Sequence, residues 1–281
     1  MHNLRQLSVA IAVTLAAASA QAIVITSDTN AASLAAAVTA GGGGGLTLVG
    51  SPTLSGHTNL GAVSSGTYTN ASGTYSIGGG IVLSTGDVND YNDGPNTSGG
   101  NTTGYNVGAT IAQEALLDPI TGGALSHRDV TQLNIDFTTS TGSVFFNVVF
   151  GSDEFDEFQN SDFIDAFGLY LDGVNIAFYL GDPININHPS MNFRAGTELD
   201  GVLPGSGAPM LFSATGLNTS INHTLTFIIA DSGDSALDST AYISSLGGVK
   251  PPDEVPEPAS LALLGIGLAG LGAAMRRRKT A

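Results

Sequence analysis

The chain has no cysteine. Disulfides and thiolate metal sites are therefore excluded, and stability must come from burial and, where acids cluster, from hard cations. Tryptophan is absent too, so an aromatic platform for a sugar would have to be built from tyrosine or phenylalanine, which weakens a lectin reading without removing it. Charged residues make up only 11% of the sequence, and positive ones are the rarer: of eight Lys and Arg, Arg5, Arg276, Arg277, Arg278 and Lys279 lie near the ends. All 24 acids fall between Asp28 and Glu257, where only Arg128, Arg194 and Lys250 oppose them. Phosphate binding needs a basic patch, so no nucleic-acid partner is expected.

The usual catalytic signatures are missing as well. No serine sits in a G-x-S-x-G elbow. The histidines, His2, His57, His127, His188 and His223, are dispersed with no H-E-x-x-H pair, so zinc is not indicated. Gly41 to Gly45 and Gly78 to Gly80 lack the lysine of a phosphate-cradling loop and read as turns. What the chain has in abundance is glycine, 38 residues, together with Ser, Thr and Asn. That composition suits short strands and many turns, and the expected class is all-β.

The two ends differ from the body. Residues 1 to 22 combine Arg5, an apolar run from Leu7 to Ala18 and the small-x-small triplet Ala20-Gln21-Ala22, the pattern of a cleaved secretion signal with Ile23 as the first mature residue. An uncleaved anchor is the competing reading. At the other end, Lys250 to Pro258 is a proline-rich linker, and Ala259 to Met275 is a glycine-containing apolar run followed by Arg276, Arg277, Arg278 and Lys279. Its seventeen residues reach the lower edge of a spanning helix, with the basic cluster on the cytoplasmic side. A single C-terminal transmembrane-type helix followed by an Arg-rich tail, together over 259–281, is the expectation.

Between the ends, strands are predicted for IVITSD after Gln21-Ala22, Ile81 to Leu83, Val130 to Thr138, Val144 to Phe150, Phe167 to Leu171, Ile184 to Asn187, Thr224 to Ala230 and Thr240 to Leu246. Val144 to Phe150 is β-branched and aromatic almost throughout and should be buried on both faces. Asp172-Gly173 marks a hairpin turn into Val174 to Leu180. Asn30 to Ala40, with Leu34 and Val38 four apart and a five-glycine stop, predicts one short N-terminal helix. Ile111 to Leu117 is read as a helical turn, and Asp87 to Gly108 as a long polar loop whose acids serve solvated turns and not calcium.

The loop from Asp153 to Asp165 carries Asp153, Glu154, Asp156, Glu157, Asp162 and Asp165 with no Lys or Arg among them. It repels itself unless a cation sits in it. A second acidic loop, with Asp231, Asp234 and Asp238, follows another strand, and two strand-to-loop junctions can meet at one end of a sandwich. Clustered carboxylates suit calcium, which takes six to eight oxygen ligands. The expected metal set is Asp153, Glu154, Asp156, Asp162, Asp165, Asp231 and Asp234, with Ca2+ as the cofactor. The opposing reading is a solvated acidic surface. A glycosidase using Asp153, Glu154 and Asp156 is a further alternative, but such enzymes need two positioned acids with separated pKa values, not a crowd.

Two resemblances follow from these residues. Val255-Pro256-Glu257-Pro258, the apolar run and Arg276 to Arg278 resemble a PEP-CTERM sorting signal. The resemblance implies recognition by an exosortase in the inner membrane, an inner-membrane-anchored intermediate, and removal of the signal on export. GGGIVLSTG at Gly78 to Gly86, VVFGSDEFDEFQNSDFIDAFGLYLDG at Val148 to Gly173, Ile184 to Asn187, and the stretch from Ile229 to Leu246 resemble the choice-of-anchor L domain, a surface module that brings no defined enzymatic activity. The expected organisation is a secretion signal over 1–22, an antiparallel, jelly-roll-like β-sandwich over 23–249, a linker over 250–258 containing the Pro256-Glu257-Pro258 motif, and a membrane tail over 259–281. The expected role is non-enzymatic, in a calcium-stabilised protein of the cell surface or of a biofilm or exopolysaccharide matrix, with exopolysaccharide or other matrix proteins as its partners there. A polysaccharide-binding module and a matrix glycoside hydrolase are the alternatives.

Overall fold

The computed structural model describes residues 23–251 except 95, 99, 124 and 195. The secretion signal with Ala20 and Ala22, the sorting residues Pro256, Glu257 and Pro258, the apolar tail and Arg276, Arg277 and Arg278 lie outside the described residues. Among the described residues no helix is long and apolar enough to cross a membrane.

Strands form where β-branched and aromatic residues concentrate. They run β1 (Ile23–Ser27), β2 (Leu46–Leu48), β3 (Thr53–Ser55), β4 (Ser65–Asn70), β5 (Gly80–Ser84), β6 (His127–Thr139) and β7 (Ser143–Ser152). There follow β8 (Ala166–Leu171), β9 (Val174–Asn175), β10 (Asn192–Phe193), β11 (Gly201–Leu203), β12 (Met210–Thr215), β13 (His223–Ser232) and β14 (Ser239–Gly247). An 8-stranded sheet has the order β1-β4-β5-β14-β7-β11-β10, with β12 also on β7. A 6-stranded sheet has the order β9-β8-β13-β6-β2, with β3 also on β6. The ladders of both sheets are antiparallel throughout.

The two sheets share one core. Ile81, Leu83, Phe146, Val148, Phe150 and Ile243 from the first pack with Leu133, Ile135, Phe137, Phe167, Leu169 and Phe227 from the second. Phe146 and Phe227 meet edge to face at 5.8 Å across the interface. Each such ring contributes roughly 1.5–3 kcal/mol by burial. The other face of the first sheet is covered as well, by a cluster in which Val149 and Tyr242 lie against Tyr75, Val88 and Tyr91. This second cover explains why β7 is apolar on both faces. The turn after β8 has Asp172 at φ 51° and Gly173 at φ 82°, with Leu171 opposite Val174. Positive φ at both central residues is the two-residue hairpin geometry that matches strand twist.

Helix α1 (Ala31–Ala40) is capped by the Asn30 side chain, which accepts from the amides of Ala32 and Ser33, and it buries Leu34, Ala35 and Val38. Its glycine stop has a packing reason: a Cβ on Gly42 would collide with the carbonyl of Leu246. The expectation of one short helix needs correction. The turn foreseen at Ile111 to Leu117 is a full helix, α2 (Ile111–Thr121), closed by a Thr110–Gln113 capping box and by Gly122 at φ 91°. Leu117 and Ile120 of α2 bury against Tyr170 and Ile228 on the outer face of the second sheet. Ile184 to Asn187 is also not a strand. Ile184 and Ile186 are buried, but the segment makes only a single bridge, Asn185 to Ala166, because the Asn185 side chain donates to the Ile120 carbonyl and anchors a turn.

Candidate functional site

The ends of β7, β13 and β14 bring the two acidic junctions together. Ser152 pairs with Ser239, and the amide of Asp153 donates to the Asp238 carbonyl at 3.1 Å. Asp165, just before β8, bridges the strands: one oxygen accepts from the Ser232 amide at 3.0 Å and the other from the Ser239 hydroxyl at 2.8 Å.

The expected metal set divides on burial. Asp153, Glu154, Asp165 and Asp231 are buried, Asp234 is half-buried, and Asp156 and Asp162 are exposed. The buried members are not a solvated surface. Two further carboxylates that sequence reasoning left out of the set, Asp129 and Asp238, are 0% exposed in the same region. Asp238 was visible as part of an acidic loop. Asp129 carried no signal, because it stands alone near the start of β6.

The polar stretch from Asp87 to Gly108 is laid over these acids. Asn101 donates its amide to Asp153 Oδ2 at 2.7 Å. Thr103 donates to both oxygens of Asp238 at 3.0 Å. Tyr105 and Asn106 donate to Asp129 Oδ2 at 2.9 and 3.1 Å, and Val107 to Asp129 Oδ1 at 2.7 Å. Asp153 also receives the Tyr91 hydroxyl at 3.3 Å and the Asp200 amide at 3.3 Å. Gly86 completes the fit, since a Cβ there would occupy the position of the Asp238 carboxylate. A loop too polar to form its own core is thus ordered by buried acceptors that need its amides.

The remaining carboxylates are less well served. Glu154 Oε2 and both oxygens of Asp231 are buried and accept no hydrogen bond from the described residues. The Thr85 hydroxyl lies near Asp231 and lowers its pKa somewhat, but it is outside hydrogen-bonding geometry. Burial pushes Asp153 and Asp238 up to about 7 and Glu154 up to about 9, with neighbouring acids adding to each shift. Asp165 and Asp231 are both raised, by burial first and by neighbouring carboxylates after it. Asp165 is the foremost charged neighbour of both Glu154 and Asp231. Among the described residues, Glu154 and Asp231 are the buried acids whose oxygens are least served by donors, and both feel the charge of Asp165.

The seven expected ligands do not close into a ready-made set of three side chains. Among the described residues, the side chains that place one ligand atom each within 4.8 Å of one another are Glu114, Asp118 and His127. A cation between Glu154, Asp165 and Asp231 would draw their side chains inward or add carbonyl oxygens and water, both of which calcium accepts.

No curated protein and no solved structure matches the chain. Two family models do: the PEP-CTERM protein-sorting motif over residues 254–279 and the choice-of-anchor L domain over residues 23–246. The motif implies exosortase-dependent processing at the membrane and sorting to the cell surface. The domain match spans both sheets, both acidic junctions and the loop laid over them, and the chain belongs to the choice-of-anchor L domain family.

Proposed function

We propose that the exported domain is a non-enzymatic component of the cell surface or of an exopolysaccharide matrix, and that calcium holds its acidic end together. The observation that carries this reading is the burial of Glu154 and Asp231 with carboxylate oxygens that no described residue partners, both within the field of Asp165. A buried ionised carboxylate without donors is strongly disfavoured, so each must take up a proton or face a cation. Calcium accepts carboxylates in irregular arrangements and is present at millimolar levels outside cells, where modules of this kind bind it at about 10⁻⁴ to 10⁻³ M. Burial also speaks against the glycosidase alternative. Asp153 lies under the loop with its oxygens engaged by amides and a tyrosine hydroxyl, leaving little room for a scissile bond.

The test is thermal unfolding of the full chain in detergent, with CaCl2, with chelator, and with NaCl at matched ionic strength. Calcium at about ten times its Kd adds roughly 1.4 kcal/mol if it binds only the native state. Tm should rise by a few degrees beyond the sodium control, and Asp231→Asn and Glu154→Gln should each abolish that excess. Equal shifts in the two salts would overturn the calcium reading. Sorting is tested separately: deleting residues 259–281 should release the domain or strand it in the periplasm, and normal surface delivery of the deleted form would refute the route.

A further inference from the structure

Outside the acidic end, α2 and the start of β6 bring together an imidazole and two carboxylates. Glu114 and Asp118 lie one turn apart on α2, and His127 is the first residue of β6. One ligand atom from each lies within 4.8 Å of the other two. His127 is 1% exposed, while both carboxylates are half-buried and open to solvent on one side. Glu114 is already oriented: one oxygen accepts from the His127 amide at 3.1 Å and the other meets His127 Nδ1. The far ring nitrogen, Nε2, lies 3.0 Å from the Thr121 hydroxyl, which reaches back to the Leu117 carbonyl at 3.4 Å.

The Glu114–His127 contact could stand alone as an ion pair. Asp118 is what that account leaves out. It lies four residues after Glu114 on the same helical face, where like charges repel. It also falls in the last turn of α2, where a carboxylate faces the negative end of the helix dipole and no basic residue offsets it. Its carboxylate accepts no hydrogen bond from the described residues. A cation between the three side chains accounts for all of these features at once.

We propose that Glu114, Asp118 and His127 bind a divalent first-row transition metal, Zn2+ or a close relative, and so pin α2 to the second sheet. One nitrogen and two oxygen donors suit such an ion and not calcium, which prefers oxygen alone. A tetrahedral zinc with ligands at about 2.0–2.2 Å needs its donors about 3.3–3.6 Å apart, within reach of small rotations of Glu114 and Asp118. The fourth position opens to solvent and takes water. On binding, Nδ1 loses its hydrogen and coordinates the metal, Nε2 carries the ring hydrogen and donates it to Thr121 Oγ1, and the Thr121 hydroxyl donates to Leu117. That outer hydrogen bond fixes the ring orientation, as is usual for metal-bound histidine. The site is independent of calcium at the acidic end and does not rest on it.

Cobalt titration of the untagged full chain in detergent, after stripping with EDTA, tests the proposal. Bound Co2+ should give the intense visible absorption of a four- or five-coordinate ion, saturating at one per chain. Zn2+ should displace it, and Ca2+ should not. His127→Gln should abolish the band and Asp118→Asn should weaken binding by at least the roughly 10–100-fold that loss of even an outer-shell partner costs, while Glu154→Gln leaves both unchanged. Because His127 is buried and its replacement can disturb folding, Asp118→Asn decides the matter: it removes a half-exposed group that makes no hydrogen bond. Cobalt that keeps the pale spectrum of the aqua ion would overturn the site, as would wild-type affinity in Asp118→Asn.

Discussion

Asp129 and Asp231 lie on paired strands, β6 and β13, and both are almost fully buried, yet Asp129 collects three backbone amides and Asp231 collects none. The difference is one of supply. The loop from Asn101 to Val107 passes over Asp153, Asp238 and Asp129 in turn and delivers its amides there. Asp231 sits where the β6–β13 register shifts, and no loop amide reaches it. The same residue type at the same depth is thus a fixed structural acceptor in one place and a carboxyl group without donors in the other. Burial alone does not decide what a carboxylate does.

The largest effect should follow from removing the best-served acid. Asp129→Ala leaves the amides of Tyr105, Asn106 and Val107 without their acceptor, and a loss of about 3 kcal/mol or more is expected, since hydrogen bonds to a charged group are worth roughly 1.5–3 kcal/mol each and are not additive. Urea unfolding measures the loss, and faster amide exchange at residues 105–107 localises it. A loss under about 1 kcal/mol would break the comparison from this side.

Asp231→Asn should do the opposite in calcium-free buffer at pH 8. It replaces a carboxyl that must be protonated against its ordinary range to be buried with a neutral group of the same shape, so stability should rise, by about 1 kcal/mol or more. Chemical unfolding with chelator present checks the sign. If Asp231→Asn destabilises under those conditions, a donor or resident cation serves this carboxylate.

Titration offers a third test. The folded-state pKa values of Asp153, Asp238 and Glu154 are raised, to about 7, about 7 and about 9, by burial first and neighbouring acids second. In the unfolded chain these groups titrate near 4. The native state therefore holds protons more tightly than the unfolded one. Their contribution to stability is full below about pH 4 and is lost as pH rises through the window from about 4 to about 9. On the proposed calcium reading, the cation competes with the proton at Glu154, so its stabilisation should grow as the proton's fades. Tm measured from pH 5 to pH 9 with chelator should fall, and calcium should flatten the curve. A chelated protein whose Tm rises over this range would contradict the shifts.

The smallest effect belongs to the other end of β8. There Asp172 does have a cationic partner: its carboxylate is 2.7 Å from His223 Nδ1 and also accepts the Thr224 amide at 2.8 Å. Hydrogen bonding to Asp172 raises the His223 pKa. The gain is present below the unfolded value near 6.5 and is lost as pH rises through the folded value. Asp172 is 46% exposed at its side chain, so solvent screens the pair, and Asp172→Asn should cost less than about 1 kcal/mol at pH 6. NMR titration of His223 reads it directly.

The sheets were legible because strand signals are local. Alternation at Phe167, Leu169 and Leu171, the Asp172-Gly173 turn and the apolar run from Val144 to Phe150 each predict their own conformation without knowledge of the rest. Ile184 to Asn187 shows the limit: apolar and polar residues alternate as in a strand, but Asn185 turns inward to the Ile120 carbonyl and the pairing ends after one bridge. The acidic end was half legible. Its crowding and the meeting of two junctions could be read from charge spacing, but the depth of Asp153, Glu154, Asp165 and Asp231 could not, because a run of acids ordinarily signals solvent. Asp129 lies 22 and 24 positions from its donors Val107 and Tyr105 and meets them through a fold contact that no local pattern encodes. The Glu114, Asp118 and His127 cluster hid for the same reason, since its spacing matches no familiar ligand motif.

The loop over the acids is held through its main chain. Asn101, Thr103, Tyr105, Asn106 and Val107 contribute amide hydrogens there, and every residue except proline has one to give. The outer surface of the segment is therefore open to variation where no side chain is engaged: substitutions at Thr103 should change what the domain displays with little change to the anchorage beneath, whereas Asn106, at φ 58° and accepting the Ser235 hydroxyl, is held by its side chain as well. Proline at any of these positions should detach the segment locally. Binding by backbone gives an exported protein a fixed loop whose exterior can diverge.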